Sequence, residues 1–157
     1  MSPGILLIHG YTGSPESLRP LADQLSILYG NDSIANITLP GHGNERPPEF
    51  NRERFIRHIS GVAETLQSQG RKIIIIGHST GGVLALAAIA EGLLMPDLLV
   101  LATVPKGIDS GSLQRWTRHR AGKDPIPLTD IAGMASLINY TGGLKMIGDF
   151  PVLIMNG

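Results

Sequence analysis

The run Lys72–Gly82, KIIIIGHSTGG, constrains this chain more than any other stretch. Four consecutive isoleucines carry no helical periodicity, and β-branched side chains pack best on a pleated surface. An unbroken apolar run of this kind, ended by glycine, suits a strand buried on both faces. Immediately afterwards, Gly81–Glu91 is rich in alanine and leucine and apolar nearly all round, the pattern of a buried helix. A buried strand, a glycine turn and a buried helix in direct succession fit a parallel sheet covered by helices.

The turn itself reads Gly77-His78-Ser79-Thr80-Gly81, a G-x-S-x-G spacing. In a chain with 20 glycines that spacing says little by itself. The strand before it and the helix after it give it meaning, because a nucleophile elbow needs both. Glycines two before and two after the serine remove side chains that would collide across a sharp turn. Gly82 lets the helix lie close on the sheet. Ser79 is then expected to stand exposed at the C-terminal end of its strand. The helix N-terminus beneath it favours developing negative charge.

The same alternation runs through the chain. GILLIHG reads as a first strand, buried on both faces. Ser14–Gly30 reads as a helix with Leu18, Leu21, Leu25 and Leu28 on one stripe, Ser17 as N-cap, Pro20 in the first turn and Gly30 as the stop. SIANITLP alternates more and suits a strand nearer an edge. Phe55, Ile59, Val62 and Leu66 mark a second helix that ends at Gly70. DLLVLATV and PVLIMNG complete five strands. The expected fold class is α/β, a doubly wound and mostly parallel sheet with helices on both faces. Lys106–Asp149 breaks the rhythm with glycines and prolines and is expected to form short helices and loops above the sheet. The chain thus divides into a core over 1–105, an insertion over 106–149 and a returning core strand over 150–157.

Composition narrows the function. A length of 157 residues suits one domain with one filled core. Thirteen basic and 13 acidic residues leave no net charge, which argues against nucleic acid or an anionic membrane as partner. With no cysteine there is no disulfide and no cysteine–zinc site. No H-E-x-x-H or carboxylate–histidine cluster is evident, so neither metal nor cofactor is expected. The apolar run Ile5–Ile8 is too short for a signal peptide or a membrane span, and a cytoplasmic location is expected. The serine loop also lacks G-x-G-x-x-G spacing and a G-K-[ST] ending, which disfavours a phosphate cradle.

Acyl transfer needs two N–H donors aimed at the oxyanion. The backbone of Thr80, the residue after the serine, can supply one. IHGYTG, Ile8–Gly13, is a glycine-rich turn after another strand, and Tyr11 is its candidate donor, with His9 and Gly10 shaping the turn.

HGYTG, LPGHG and GHSTGG, in this order and spacing, resemble the α/β-hydrolase superfamily, and within it the carboxylesterase and monoacylglycerol-lipase-like branch. The resemblance runs from Gly4 to Gly157. It implies the α/β-hydrolase fold, Ser79 as nucleophile and the backbone amides of Tyr11 and Thr80 as oxyanion hole. It further implies a small-molecule ester as substrate and Lys106–Asp149 as a cap over the acyl pocket. LPGHG, Leu39–Gly43, is implied to be a loop near the site without a catalytic group. In the family the acid lies just beyond the strand that PVLIMNG resembles, and the histidine follows a later strand. This chain stops at Gly157, before both, so the fold is expected to be C-terminally incomplete and the acid and base absent from it. A further segment, or a self-association contact, is expected along the last strand.

The histidines present are poor substitutes for that base. His9 is expected to anchor the oxyanion turn and His42 to do similar work in its loop. His58 is expected to be solvated on a helix, and His78 to be turned away by the elbow. His119 sits in the insertion, a poor place to hold a base. Asp109 follows the fourth strand and reads as an ordinary loop aspartate rather than a triad acid. Trp116 and Tyr140 suit either an acyl pocket or the insertion's own packing. Two functions remain. One is a serine hydrolase cleaving carboxylic esters of small or medium acyl chain through an acyl-enzyme on Ser79. The other is a non-catalytic binding protein, or an inactive fragment, on the same fold.

Overall fold

A computed structural model of the chain describes residues 1–43, 49–105, 128–142 and 150–155. Five strands form one sheet: β1 (Gly4–Ile8), β2 (Ile34–Ile37), β3 (Ile73–His78), β4 (Leu98–Ala102) and β5 (Val152–Met155). Their order is β2-β1-β3-β4-β5 and every pairing is parallel. The helices that accompany them are α1 (Arg19–Tyr29), α2 (Arg52–Ser68), α3 (Thr80–Ala90) and α4 (Leu128–Gly142).

Two apolar layers sandwich this sheet. On one side Leu6, Ile8 and Ile75 meet Phe55, Ile56, Ile59 and Leu66 of α2 and the apolar face of α3. Met134, Leu137 and Ile138 of α4 join the same core. On the other side Ile5 and Leu7 pack with Leu18, Ala22 and Leu25 around α1. The alternation of side chains along β1 feeds both layers, and all five of its residues are buried. β3 is less enclosed than its four isoleucines suggest. Ile73 and Ile75 are buried, whereas Ile74 and Ile76 are half-buried. They face the thinner layer, which α1 covers by itself among the described helices.

β2 sits at one edge of the described sheet, as its sequence alternation suggests. β5 lies at the other end of the order, with Leu153, Ile154 and Met155 about half exposed. α3 is buried along most of its length, in keeping with its composition. α2 starts with the Asn51 side chain accepting from the Arg54 amide at 2.9 Å. Gly70, with φ of 72°, follows its end. Arg52 at the head of α2 pairs with Glu91 beyond the end of α3.

The first helix differs from the expectation. A 3-10 turn over Pro15–Leu18 precedes α1, and Leu18 rather than Ser17 is the N-cap. The Ser17 hydroxyl donates to the Ser14 carbonyl at 2.7 Å instead. Pro20 does fall in the first turn. Leu18, Ala22 and Leu25 face the sheet, while Leu21 and Leu28 are exposed, Leu28 at 71%. In the insertion, the described part is α4, a helix of 15 residues; the rest of the expected short helices and loops lies outside the described residues.

Candidate active site

Ser79 occupies the single position between β3 and α3, with φ of 52° and ψ of −124°. A side chain rarely adopts a positive φ, and holding one there costs roughly 1–3 kcal/mol. The surrounding packing enforces it. The Ser79 amide donates to the Ala102 carbonyl of β4 at 2.9 Å, and its carbonyl accepts from the Gly82 amide at 3.0 Å. The glycines around it are there because nothing larger fits. A Cβ on Gly77 would lie 2.4 Å from the Gly82 Cα. One on Gly81 would lie 2.3 Å from the Ile8 carbonyl oxygen and 2.6 Å from that of His9. The start of α3 is therefore pressed against the end of β1.

That contact brings the second predicted element to the serine. Gly10–Gly13 is a tight turn closed by the Gly13 amide donating to the Gly10 carbonyl at 2.9 Å, with Thr12 at φ of 65°. A Cβ on Gly10 would stand 3.3 Å from the Ser79 Cβ and 3.6 Å from its Oγ. The turn carrying Tyr11 and the elbow carrying Thr80 thus meet at Ser79. Both Tyr11 and Thr80 are buried.

Two buried imidazoles hold this turn. His9 Nδ1 donates to the Gly10 carbonyl at 2.8 Å, and its Nε2 accepts from the Leu39 amide at 3.1 Å. His42 Nε2 accepts from the Thr12 amide at 3.1 Å while its Nδ1 faces the Pro40 carbonyl at 3.4 Å. Each ring is fixed as the Nδ1–H tautomer, with both nitrogens committed. Their centroids are 4.9 Å apart. Burial pushes the His9 pKa down, against its hydrogen bond to Gly10. Burial, with the neighbouring His9, lowers that of His42 to about 4. Both are neutral brackets between the Gly10–Gly13 turn and the Leu39–Gly43 loop. Neither has a lone pair free for a proton from Ser79.

The Tyr11 ring packs edge-on against His42, Phe50 and, more tilted, Phe55. Its hydroxyl donates to Asp130 Oδ2 of α4 at 3.2 Å. Asp130, 5% exposed, was not singled out by the sequence. The available signal is the Asp130, Met134, Leu137, Ile138 spacing, one helical stripe interrupted by a carboxylate. His58 lies on α2, half-buried, and takes no part in this cluster. His78 ends β3 on the side of Ile74 and Ile76 by strand alternation. Asp109, Trp116 and His119 lie outside the described residues, as does the Tyr140 side chain. No group of three or more metal-ligating side chains occurs among the described residues, and no described helix is long and apolar enough to cross a membrane.

A family model described as "Alpha/beta hydrolase family" matches residues 5–151. The chain belongs to that family. Among curated relatives, this α/β-hydrolase is 31% identical over 109 residues to a thermostable monoacylglycerol lipase of Bacillus sp. (strain H-257). The match covers 68% of this chain but 41% of the lipase, so the chain spans well under half of that relative's length. Solved structures share the fold. A metagenome-derived lipolytic enzyme superposes with a TM-score of 0.76 at 19% identity, covering 98% of this chain and 72% of the other. The monoacylglycerol lipase of Paleococcus ferrophilus gives 0.67 at 15% identity, covering 98% and 73%. These relatives are named as lipases or lipolytic enzymes, and the parallel sheet with helices on both faces is the expected fold of the family.

Proposed function

We propose that this chain carries the nucleophile and oxyanion hole of a serine hydrolase that cleaves carboxylic esters of small or medium acyl chain. The observation that carries the reading is Ser79 held at a strained positive φ in the elbow, against the Gly10–Gly13 turn. Ser79 Oγ attacks the ester carbonyl, and its proton passes to a general base. The carbonyl oxygen gains the negative charge and accepts hydrogen bonds from the Tyr11 and Thr80 amides. Collapse expels the alcohol with a proton and leaves an acyl-serine, which water then hydrolyses to the acid. Since both nitrogens of His9 and of His42 are already bonded, we assign the base to a histidine outside the described residues. The insertion over 106–149 is read as the cap that walls the acyl side of the site, a reading supported by α4 reaching Tyr11 and Thr80. The monoacylglycerol lipase relative makes short glycerol monoesters the first substrates to try.

The test is covalent labelling of the full-length protein by a fluorophosphonate, with hydrolysis of p-nitrophenyl esters from acetate to decanoate. Labelling at Ser79 that disappears in Ser79→Ala, with turnover greatest at short or medium chains, is the expected result. A folded full-length protein that neither labels nor turns over any ester is a binding protein, and the proposal fails.

A further inference from the structure

We propose that α4 acts as a clasp setting both oxyanion donors, with Asp130 as the positioning residue for the Tyr11 turn. This deepens the serine-hydrolase reading and rests on it. Asp130 and Met134 are one helical turn apart and share a face of α4. Each reaches a different half of the oxyanion hole. Asp130 Oδ2 accepts from the Tyr11 hydroxyl at 3.2 Å, across 119 positions of chain. Met134 Sδ accepts from the Thr80 hydroxyl at 3.7 Å, across 54. The two amides proposed to bind the oxyanion thus belong to residues whose side chains end on the same helix.

A third contact fixes the helix between them. A Cβ on Gly133 would lie 3.1 Å from Phe50 Cδ1, so α4 lies tightly over the Phe50 ring. That ring in turn stands edge-on to Tyr11 at 5.3 Å. Packing alone would be met by phenylalanine at position 11. A phenol buried among His42, Phe50 and Phe55 that spends its hydroxyl on a buried carboxylate adds direction to the packing. Tyr11 is the first central residue of the Gly10–Gly13 turn, so the direction of its side chain is tied to that of its peptide plane. Positioning matters here because a shift of about 1 Å at a reacting centre can cost ~100-fold in rate.

The experiment compares Tyr11→Phe, Asp130→Ala, Asp130→Asn and the Tyr11→Phe/Asp130→Ala double variant in the full-length protein. Tyr11→Phe keeps the ring packing and therefore the fold. Expected for Tyr11→Phe and Asp130→Ala is a kcat loss of about tenfold, a fraction of the ~100-fold that removing a whole donor costs. KM stays within about twofold, the signature of an interaction made in the transition state. The double variant loses no more than the worse single one. Asp130→Asn, which keeps an acceptor oxygen, recovers most of the loss. Independently of catalysis, amide hydrogen exchange in Ile8–Gly13 accelerates about fivefold in both single variants, as expected for one lost hydrogen bond. Unchanged exchange in that segment overturns the proposal, whatever happens to kcat; so does unchanged kcat in an active enzyme. If the wild-type protein proves inert to fluorophosphonate and yet exchange accelerates, the hydrolase reading fails while the clasp stands.

Discussion

Gly81→Ala tests the pressing of α3 against β1. In an ordinary helix this change stabilises by about 1 kcal/mol, because alanine is the better helix former. At Gly81 the new methyl would lie 2.3 Å from the Ile8 carbonyl oxygen and 2.6 Å from that of His9. Both obstacles are backbone, so no side chain can swing aside. Restoring an ordinary contact requires α3 and the end of β1 to part by nearly 1 Å. Overpacking of that kind costs roughly 1–3 kcal/mol or somewhat more. Set against the gain in propensity, the net is a loss of about 2 kcal/mol, or roughly 4–8 °C in Tm for a domain of this size. The same separation moves the Tyr11 turn away from Ser79, so labelling should slow by ~100-fold. Gly61→Ala is the matched control. Gly61 lies in α2, is exposed, and would place a Cβ with nothing within 4 Å. It should gain about 1 kcal/mol. Urea denaturation of the two variants beside wild type, with fluorophosphonate labelling rates, makes the comparison. If Gly81→Ala is stabilised as Gly61→Ala is, or labels at the wild-type rate, the close approach of α3 to β1 is wrong.

Ser79→Gly and Ser79→Ala should both abolish labelling, yet differ in stability. Glycine relieves the positive φ that alanine retains, so Ser79→Gly should melt higher, by about 1 kcal/mol after allowing for the flexibility of glycine when unfolded; equal melting points would argue that Ser79 is unstrained. The pH dependence of stability follows from His42, whose folded-state pKa of about 4 lies below an unfolded value of about 6.5. Below pH 6.5 the unfolded chain takes up the proton and the folded one does not. Stability is therefore complete above pH 6.5 and declines as pH falls towards 4, by at most about 3 kcal/mol from this residue. His9 shifts in the same direction and adds to the decline. Denaturation midpoints from pH 7 to 4.5 should fall steeply in wild type and less steeply in His42→Gln; parallel curves would refute a neutral, buried His42.

Much of this site is legible in the sequence because several of its parts are local. Gly77 answers to Gly82 within one strand–turn–helix unit, although Gly81 must be small because of β1 and the Ser79 amide is held by β4. The motif therefore carries part of its own geometry. In HGYTG the Gly10–Gly13 turn and Gly13 are local, while Gly10 must be small because Ser79 stands against it. The features that were misread or missed depend on long-range contacts. On α1 the sheet-facing stripe is Leu18, Ala22 and Leu25 rather than the four leucines, because the face that packs is set by the sheet beneath it and not by leucine content. Ile74 and Ile76 look as buried as Ile73 and Ile75 in the sequence, and only the unequal layers on the two faces distinguish them. Asp130 resembles any first-turn aspartate until Tyr11, far away in the chain, arrives beside it. The pairing of His9 with Leu39, and of His42 with Thr12, likewise needs β1 and β2 side by side.

β1 comes first in the chain but sits between β2 and β3 in the sheet. Its register with β3, Ile8 opposite Gly77, is what brings the turn of Tyr11 to Ser79. The two halves of the site therefore meet only when that pairing closes over everything from α1 to α2. Pairings this distant come late and slowly in folding, since the entropy of closing the loop is lost before any contact returns it. A chain that has formed only β3, α3 and β4 already holds Ser79 in the elbow, but without the Gly10–Gly13 turn beside it. On the proposed function, reactivity at Ser79 is a chemical clock for the assembly of the sheet, set running by the register that brings Ile8 opposite Gly77.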